Sequence, residues 1–273
     1  MVDVIIAMLG RRDTARGVLD AAQCLAGLSG KASVIALAAD TPPPSSPFMA
    51  EALMAEVGDI DAAHERDLAR LAALKTTFDT WAGDVRDAGI AVQWDEVPGP
   101  VNQAIEQRGR RADVIVIARP MDDDDATTRH GFQAALFRTE RPILVVPPGP
   151  SAPFGRRVAV AWRDDGRTVK TLLPALRFLS GAEQFHLLAG VREATPRPSV
   201  PAVLMDHGIN AELHILPIGA GVFGRMLLEK ARELGADMLV MGAYAHNPLR
   251  EMVFGGVTKY VLDHADVPVL MRH

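Results

Sequence analysis

The chain states one segment pattern and then states it again. Ala112-Asp113-Val114-Ile115-Val116 is matched position by position by Ala236-Asp237-Met238-Leu239-Val240, and Pro142-Ile143-Leu144-Val145 by Pro268-Val269-Leu270-Met271. Asp113 and Pro142 lie 29 residues apart, and Asp237 and Pro268 lie 31 apart. The apolar segments around these anchors recur in the same order. A duplication of this kind obliges both copies to build the same supersecondary framework. A chain of 273 residues also suits two domains better than one core.

Each copy alternates strand and helix patterns. The first opens with Val2-Asp3-Val4-Ile5-Ile6-Ala7-Met8, a β-branched run that predicts a buried strand. The next segment carries Val18, Ala21, Ala22, Leu25 and Leu28 on one helical face, with Thr14 as the expected cap and Gly30 as the stop. Ala32–Leu37 predicts a second strand, and the Pro/Ser run from Pro42 to Pro47 a loop. Within the helical stretch Ala50–Asp87, residues Leu71, Leu74, Phe78, Trp81 and Val85 form one apolar stripe. It reads as a helix laid on a sheet, since a coiled coil wants several heptads with charged flanks. Strand Ile90–Val97, a helix from Val101, strand Asp113–Ala118, a helix near Phe132–Phe137 and strand Pro142–Val146 complete the copy.

Four prolines and a glycine between Pro147 and Pro153 then predict a stiff, extended connector. Beyond it the order restarts with strand Arg157–Trp162, helix Val169–Leu179, strands Gln184–Leu188 and Ala211–Leu216, helix Phe223–Leu234, and strands Asp237–Met241 and Val267–Met271. Strands joined by helical crossovers make a parallel sheet covered on both faces. The expected fold class is therefore α/β, with two tandem doubly wound, Rossmann-like parallel-sheet domains at residues 1–149 and 150–273.

The stretch Met241-Gly242-Ala243-Tyr244-Ala245-His246, continuing to Phe254-Gly255-Gly256-Val257-Thr258, resembles the phosphate-binding segment of the universal stress protein family, as does the ending Val261–Met271. The family's nucleotide-binding members carry Gly, two residues, Gly, nine residues, Gly, then Ser or Thr. Here that frame reads Gly242, Ala245, Gly255 and Gly256, with Thr258 two positions on. The resemblance covers both copies, but the motif is recognisable only in the second. It implies an adenine nucleotide such as ATP, with Mg2+ as its companion cation, held in the second domain alone. The residues it designates are Gly242, Ala245, His246, Gly255, Gly256, Val257 and Thr258, together with Ala161, Trp162, Arg163 and Asp164 at the end of that domain's first strand. Three of these depart from the family pattern. Ala245 replaces a glycine, Gly256 replaces a hydroxyl residue, and Arg163 stands where binding members place a nucleoside-reading aspartate, with Asp164 one residue late.

The physics of the motif is separable from the name. A glycine at a strand's carboxyl end lets backbone approach a ligand, and a helix beginning after Gly255-Gly256 would aim free N–H groups and a positive dipole end at an anion. The alternative is that Gly242 and Gly255 merely permit tight turns. His246 is either an anion donor or an exposed loop residue.

The first copy lacks the motif. Ala118-Arg119-Pro120-Met121 leads into Asp122-Asp123-Asp124-Asp125, and Arg129-His130-Gly131-Phe132 stands where paired glycines would be. Four carboxylates repel a triphosphate, and the run lacks the spacing and glycine of a calcium loop, so it reads as a solvated flexible loop. The eight histidines show no His-Glu-x-x-His or paired-Cys spacing, which argues against a zinc site. Neither a Gly-x-Ser-x-Gly elbow nor a Walker A lysine motif is present, so a conventional ATPase is not supported.

Composition narrows the setting. A net charge of -5 and a pI of about 5.9 argue against nucleic-acid binding. No segment reads as a signal peptide or approaches the roughly 18 apolar residues of a membrane span. The lone Cys24, in an apolar stretch, fits a buried inert thiol in a reducing cytoplasm. Three readings follow: a cytoplasmic stress-response protein that binds an adenine nucleotide, a nucleotide-independent protein-interaction module, and a slow nucleotide hydrolase with Asp164 or Asp165 as base. The apolar last strand of each copy would be an exposed edge. Since dimers in the family form through that strand, the resemblance implies an internal pseudo-dimer, and a homodimer through the long first-copy helix is a further expectation.

Overall fold

The computed structural model describes residues 2–40, 60–86, 89–124, 126–163, 167–192, 198–218, 223–243 and 256–273. The first copy runs β1 (Asp3–Met8), α1 (Arg12–Ser29), β2 (Ala32–Asp40), α2 (Ile60–Val85), β3 (Ala91–Pro98), α3 (Val101–Gly109), β4 (Val114–Ala118), α4 (Ala126–Arg138) and β5 (Ile143–Val146). The second runs β6 (Arg157–Trp162), α5 (Arg167–Leu179), β7 (Gln184–Val191), α6 (Ala202–Asp206), β8 (Ala211–Pro217), α7 (Phe223–Glu233), β9 (Met238–Gly242), α8 (Val257–His264) and β10 (Val269–Arg272).

All strands belong to one ten-stranded sheet of order β3-β2-β1-β4-β5-β10-β9-β6-β7-β8. Within each copy the pairs are parallel, and counted from its own first strand each copy has the order 3-2-1-4-5. The copies meet where β5 and β10 pair antiparallel, with Leu144 opposite Leu270. Antiparallel pairing of equivalent strands is the arrangement a local two-fold axis generates.

Strand alternation divides the core in two. Ile5, Ala7, Val114, Val116, Val158 and Val160 face α1, α2 and α5, while Ile6, Met8, Ile115, Ile117, Leu239 and Met241 face the side of α3, α4, α7 and α8. Apolar residues on both faces are what a parallel sheet sandwiched between helices requires. The α2 stripe of Leu71, Leu74, Phe78, Trp81 and Val85 is buried and joins the first of these clusters, as a helix on a sheet should. Residues 50–59 of the expected helix lie outside the described residues.

The repeat anchors have a structural job. Asp113 Oδ2 accepts the Val4 N–H at 2.8 Å, and the Asp237 carboxylate accepts those of Gly155, Arg156 and Arg157 at 2.8, 3.2 and 3.1 Å. Each aspartate thus fastens the start of its own copy's first strand. Arg177 of α5 crosses between copies to Asp3 and Asp113, at 2.8 and 2.9 Å.

One local expectation is corrected. Thr14 does not cap α1: the helix begins at Arg12 after an extended Arg11, and the Thr14 hydroxyl donates back to the Arg11 carbonyl from inside the first turn. Gly30 does end it, in the left-handed region at φ 74°. The connector packs against the domains it joins. A Cβ on Gly17 would lie 2.7 Å from the Gly149 carbonyl oxygen, so α1 admits the chain only because residue 17 has no side chain, and Phe154 is buried in the core. The five-residue α6 had no counterpart in the sequence pattern.

Candidate functional site

In each copy the strand order reverses between the first and fourth strands. Helices leave that point on opposite faces, opening a crevice outside the carboxyl ends. In the second copy the strands are β6 and β9, with Ala161 opposite Met241. Ala161 and Gly242 are half-buried, Trp162 is buried and Arg163 is exposed. The Arg163 N–H donates to Thr168 Oγ1 at 3.3 Å, linking the end of β6 to the first turn of α5. Gly242 pairs with Arg272 of β10, and the Ala243 N–H donates to the Arg272 carbonyl at 2.8 Å.

Helix α8 returns the chain from β9 to β10, so its N-terminus lies at this same end of the sheet. Gly256 is the N-cap, exposed and extended, and being glycine it supplies no side-chain cap of its own. Its carbonyl accepts the Tyr260 N–H at 3.0 Å, so the helix begins directly after the glycine with its N-terminal end toward the crevice. Val257 is half-buried and Thr258 is buried. The helix is held by close packing on α7: a Cβ on Gly224 would lie 2.9 Å from Tyr260 Cβ, and Arg232 Nε donates to Asp266 Oδ2 at 2.8 Å. The structure thus gathers Ala161, Trp162, Arg163, Gly242, Gly256, Val257 and Thr258 at the carboxyl end of the sheet. Asp164, Ala245, His246 and Gly255 lie outside the described residues.

At the equivalent point of the first copy the structure holds an internal ion pair. Asp124, expected in a solvated loop, is buried, with its side chain 1% exposed. It receives Arg11 Nη1 at 2.6 Å and the Met121 N–H at 2.7 Å, and Arg129 donates to its carbonyl. Asp122 and Asp123 do face solvent. The difference is reach: Arg11 follows β1 at the switch point and holds the Asp124 carboxylate inward. Bonding to Asp13 and then Asp124 raises the Arg11 guanidinium pKa, and Arg11 in turn lowers that of Asp13.

Residues 218–273 match the Universal stress protein family. That segment contains α7, β9, α8 and β10, which carry the glycines and the α8 N-terminus just described. The second copy therefore carries a segment similar to that family. The whole chain shares the fold of such proteins. It is similar to a universal stress protein from Archaeoglobus fulgidus at 15% identity and TM-score 0.70, covering 99% of this chain and 96% of that one. A functionally unknown protein from Pseudomonas aeruginosa is similar at 16% identity and TM-score 0.63, over 99% and 92%. The cytoplasmic domain of a prokaryotic cation chloride cotransporter is similar at 12% identity and TM-score 0.51, over 99% and 94%. No curated protein sequence matches the chain. One fold serving a universal stress protein and a transporter domain leaves function to be argued from the site.

Two further features of this universal stress protein fold lie away from the crevice. A cleft of about 660 Å3 at the opposite end of the first copy is lined by Asp20, Cys24, Lys31 and the connector residues Ser151–Pro153. Cys24 is half-buried there rather than enclosed, donating to the Phe154 carbonyl at 3.7 Å, and burial raises its thiol pKa. The second feature is a group of potential metal ligands, His186, Glu212 and His214, unique of its kind among the described residues. Motif spacing could not reveal it, because it depends on the register of two strands. The signal available in sequence was Glu212-Leu213-His214, which on a strand puts both ligands on one face. No helix among the described residues is long and apolar enough to cross a membrane.

Proposed function

We propose that this universal-stress-protein-like chain is a cytoplasmic stress-response protein that binds an adenine nucleotide, such as ATP with Mg2+, in its second copy only. The observation that carries the reading is the contrast between the two switch points. In the second, a glycine ends β9 and α8 starts from a glycine, so backbone N–H groups and the positive dipole end are offered to an anion. In the first, Asp124 already supplies the anion, paired with Arg11. The fit is to phosphate: small residues at the strand end, the amides at the start of α8 and the buried Thr258 hydroxyl suit a ligand recognised largely through backbone. Under the same reading the β5–β10 pairing makes the chain an internal pseudo-dimer, with protein partners on its outer faces.

The test uses the full chain. Small molecules released on denaturation are identified by mass spectrometry, and Mg-ATP binding is measured by calorimetry for wild type, Gly256→Asp and Ala245→Gly. An aspartate at an N-cap supports its helix while placing a carboxylate where phosphate would go. The expected result is a folded Gly256→Asp variant that binds no nucleotide, and stronger binding by Ala245→Gly. Undiminished binding by Gly256→Asp would place the nucleotide elsewhere. No binding by any form would favour an interaction module independent of nucleotide.

A further inference from the structure

His186 lies on β7, and Glu212 and His214 on the neighbouring β8. In the parallel register His186 pairs with Glu212, and Leu188 with His214. Glu212 and His214 are two apart and share a face with His186, the face covered by α7. A directly opposed pair and a diagonal neighbour bring three side-chain tips together. His186 Nδ1 and His214 Nε2 are 3.2 Å apart, and Glu212 Oε2 is 3.6 Å from each. The carboxylate is too far from either nitrogen for a hydrogen bond. The His186 side chain is 9% exposed and its Nε2 has no hydrogen-bond partner, so its polar contacts all run through Nδ1 into this cluster.

We propose that His186, Glu212 and His214 form a binding site for a divalent transition-metal ion, best matched by Zn2+. The triangle of donor atoms carries the argument. A point equidistant from atoms separated by 3.2, 3.6 and 3.6 Å lies about 2.0 Å from each, the circumradius of that triangle. Zinc bonds to imidazole nitrogen and carboxylate oxygen are about 2.0–2.2 Å, so an ion just outside the donor plane matches all three distances, taking the place of the proton shared by the two imidazoles. Two imidazoles and one carboxylate select zinc or its neighbours in the first transition row over Mg2+ or Ca2+, which prefer oxygen. Solvent fills the fourth position. Glu212, 68% exposed, is the open side through which the ion enters. The other nearby charge is Lys230 of α7, whose ammonium is engaged by Glu233 at 2.9 Å. Because β8 is an outer strand of the sheet, the ion would also fasten that edge to β7.

The experiment measures Zn2+ uptake by the full chain, in competition with a chromophoric chelator, for wild type, Glu212→Gln and His214→Gln. Neither change replaces the buried His186, and glutamine keeps a polar group at each position, so both variants should fold, and circular dichroism checks it. Wild type should bind a single Zn2+ and melt at higher temperature when it is added. Each variant should lose affinity by about tenfold or more, since even outer-shell changes cost that much at zinc sites. Absence of Zn2+ binding by wild type overturns the site. So does wild-type affinity in either variant, which would assign the ion to other histidines. The nucleotide reading is untouched by every outcome.

Discussion

Two adjacent aspartates in the acidic run should behave as if they belonged to different proteins. Asp124→Ala removes a carboxylate that is 1% exposed and 2.6 Å from Arg11 Nη1. Breaking a buried ion pair from one side costs about 3–5 kcal/mol, because the remaining charge is stranded. Arg11 is 28% exposed and keeps Asp13 at 2.6 Å, so its charge stays partly solvated and about 2–3 kcal/mol is the appropriate share. The Met121 amide also loses its acceptor, adding about 1 kcal/mol. A total near 3–4 kcal/mol lowers the melting temperature of a chain this size by about 10 °C. Asp123→Ala removes a side chain that is 79% exposed and 3.6 Å from the same guanidinium, and should change stability by less than about 0.5 kcal/mol. Asp124→Asn keeps an acceptor for Met121 and should fall between them. Urea unfolding followed by circular dichroism measures all three. Equal losses for Asp123→Ala and Asp124→Ala, or a loss below about 1 kcal/mol for the latter, would refute the buried Arg11–Asp124 pair.

Two glycines of α1 should respond oppositely to alanine. At Gly17 the new methyl meets the Gly149 carbonyl oxygen at 2.7 Å, so the connector must shift and about 1–3 kcal/mol is lost; at Gly27 a Cβ meets nothing within 4 Å, and helix propensity should add about 0.5–1 kcal/mol. Matching signs in the same unfolding assay would contradict this packing. Cys24 should react with iodoacetamide more slowly at pH 8 than free cysteine, because burial raises its pKa. The sign for stability follows: above the unfolded thiol pKa of about 8.5 only the unfolded state releases the proton, so stability falls as pH rises. Cys24→Ala should flatten the alkaline limb of the stability profile, and an unchanged limb would count against the assignment.

What was legible in the sequence was whatever local pattern and repetition encode. The β-branched runs marked the strands because a doubly covered parallel sheet buries both faces of each one, and Gly30 marked a helix end because only glycine takes the left-handed conformation cheaply. The duplication gave the order of elements in both copies, and the α2 stripe named its own buried face. The placement of Gly242 at a strand end and of Gly256 before a helix was also legible, because both follow from local pattern. Tertiary structure decided what depends on residues far apart in the chain. Asp124 is buried and Asp123 is not because the end of β1 delivers Arg11 to one of them, 113 residues away. Gly17 is required because a connector beginning 130 residues later passes over it. His186, Glu212 and His214 became a cluster only when β7 and β8 took one parallel register, since a shift of a single residue would turn the histidine and the Glu-x-His pair to opposite faces of the sheet.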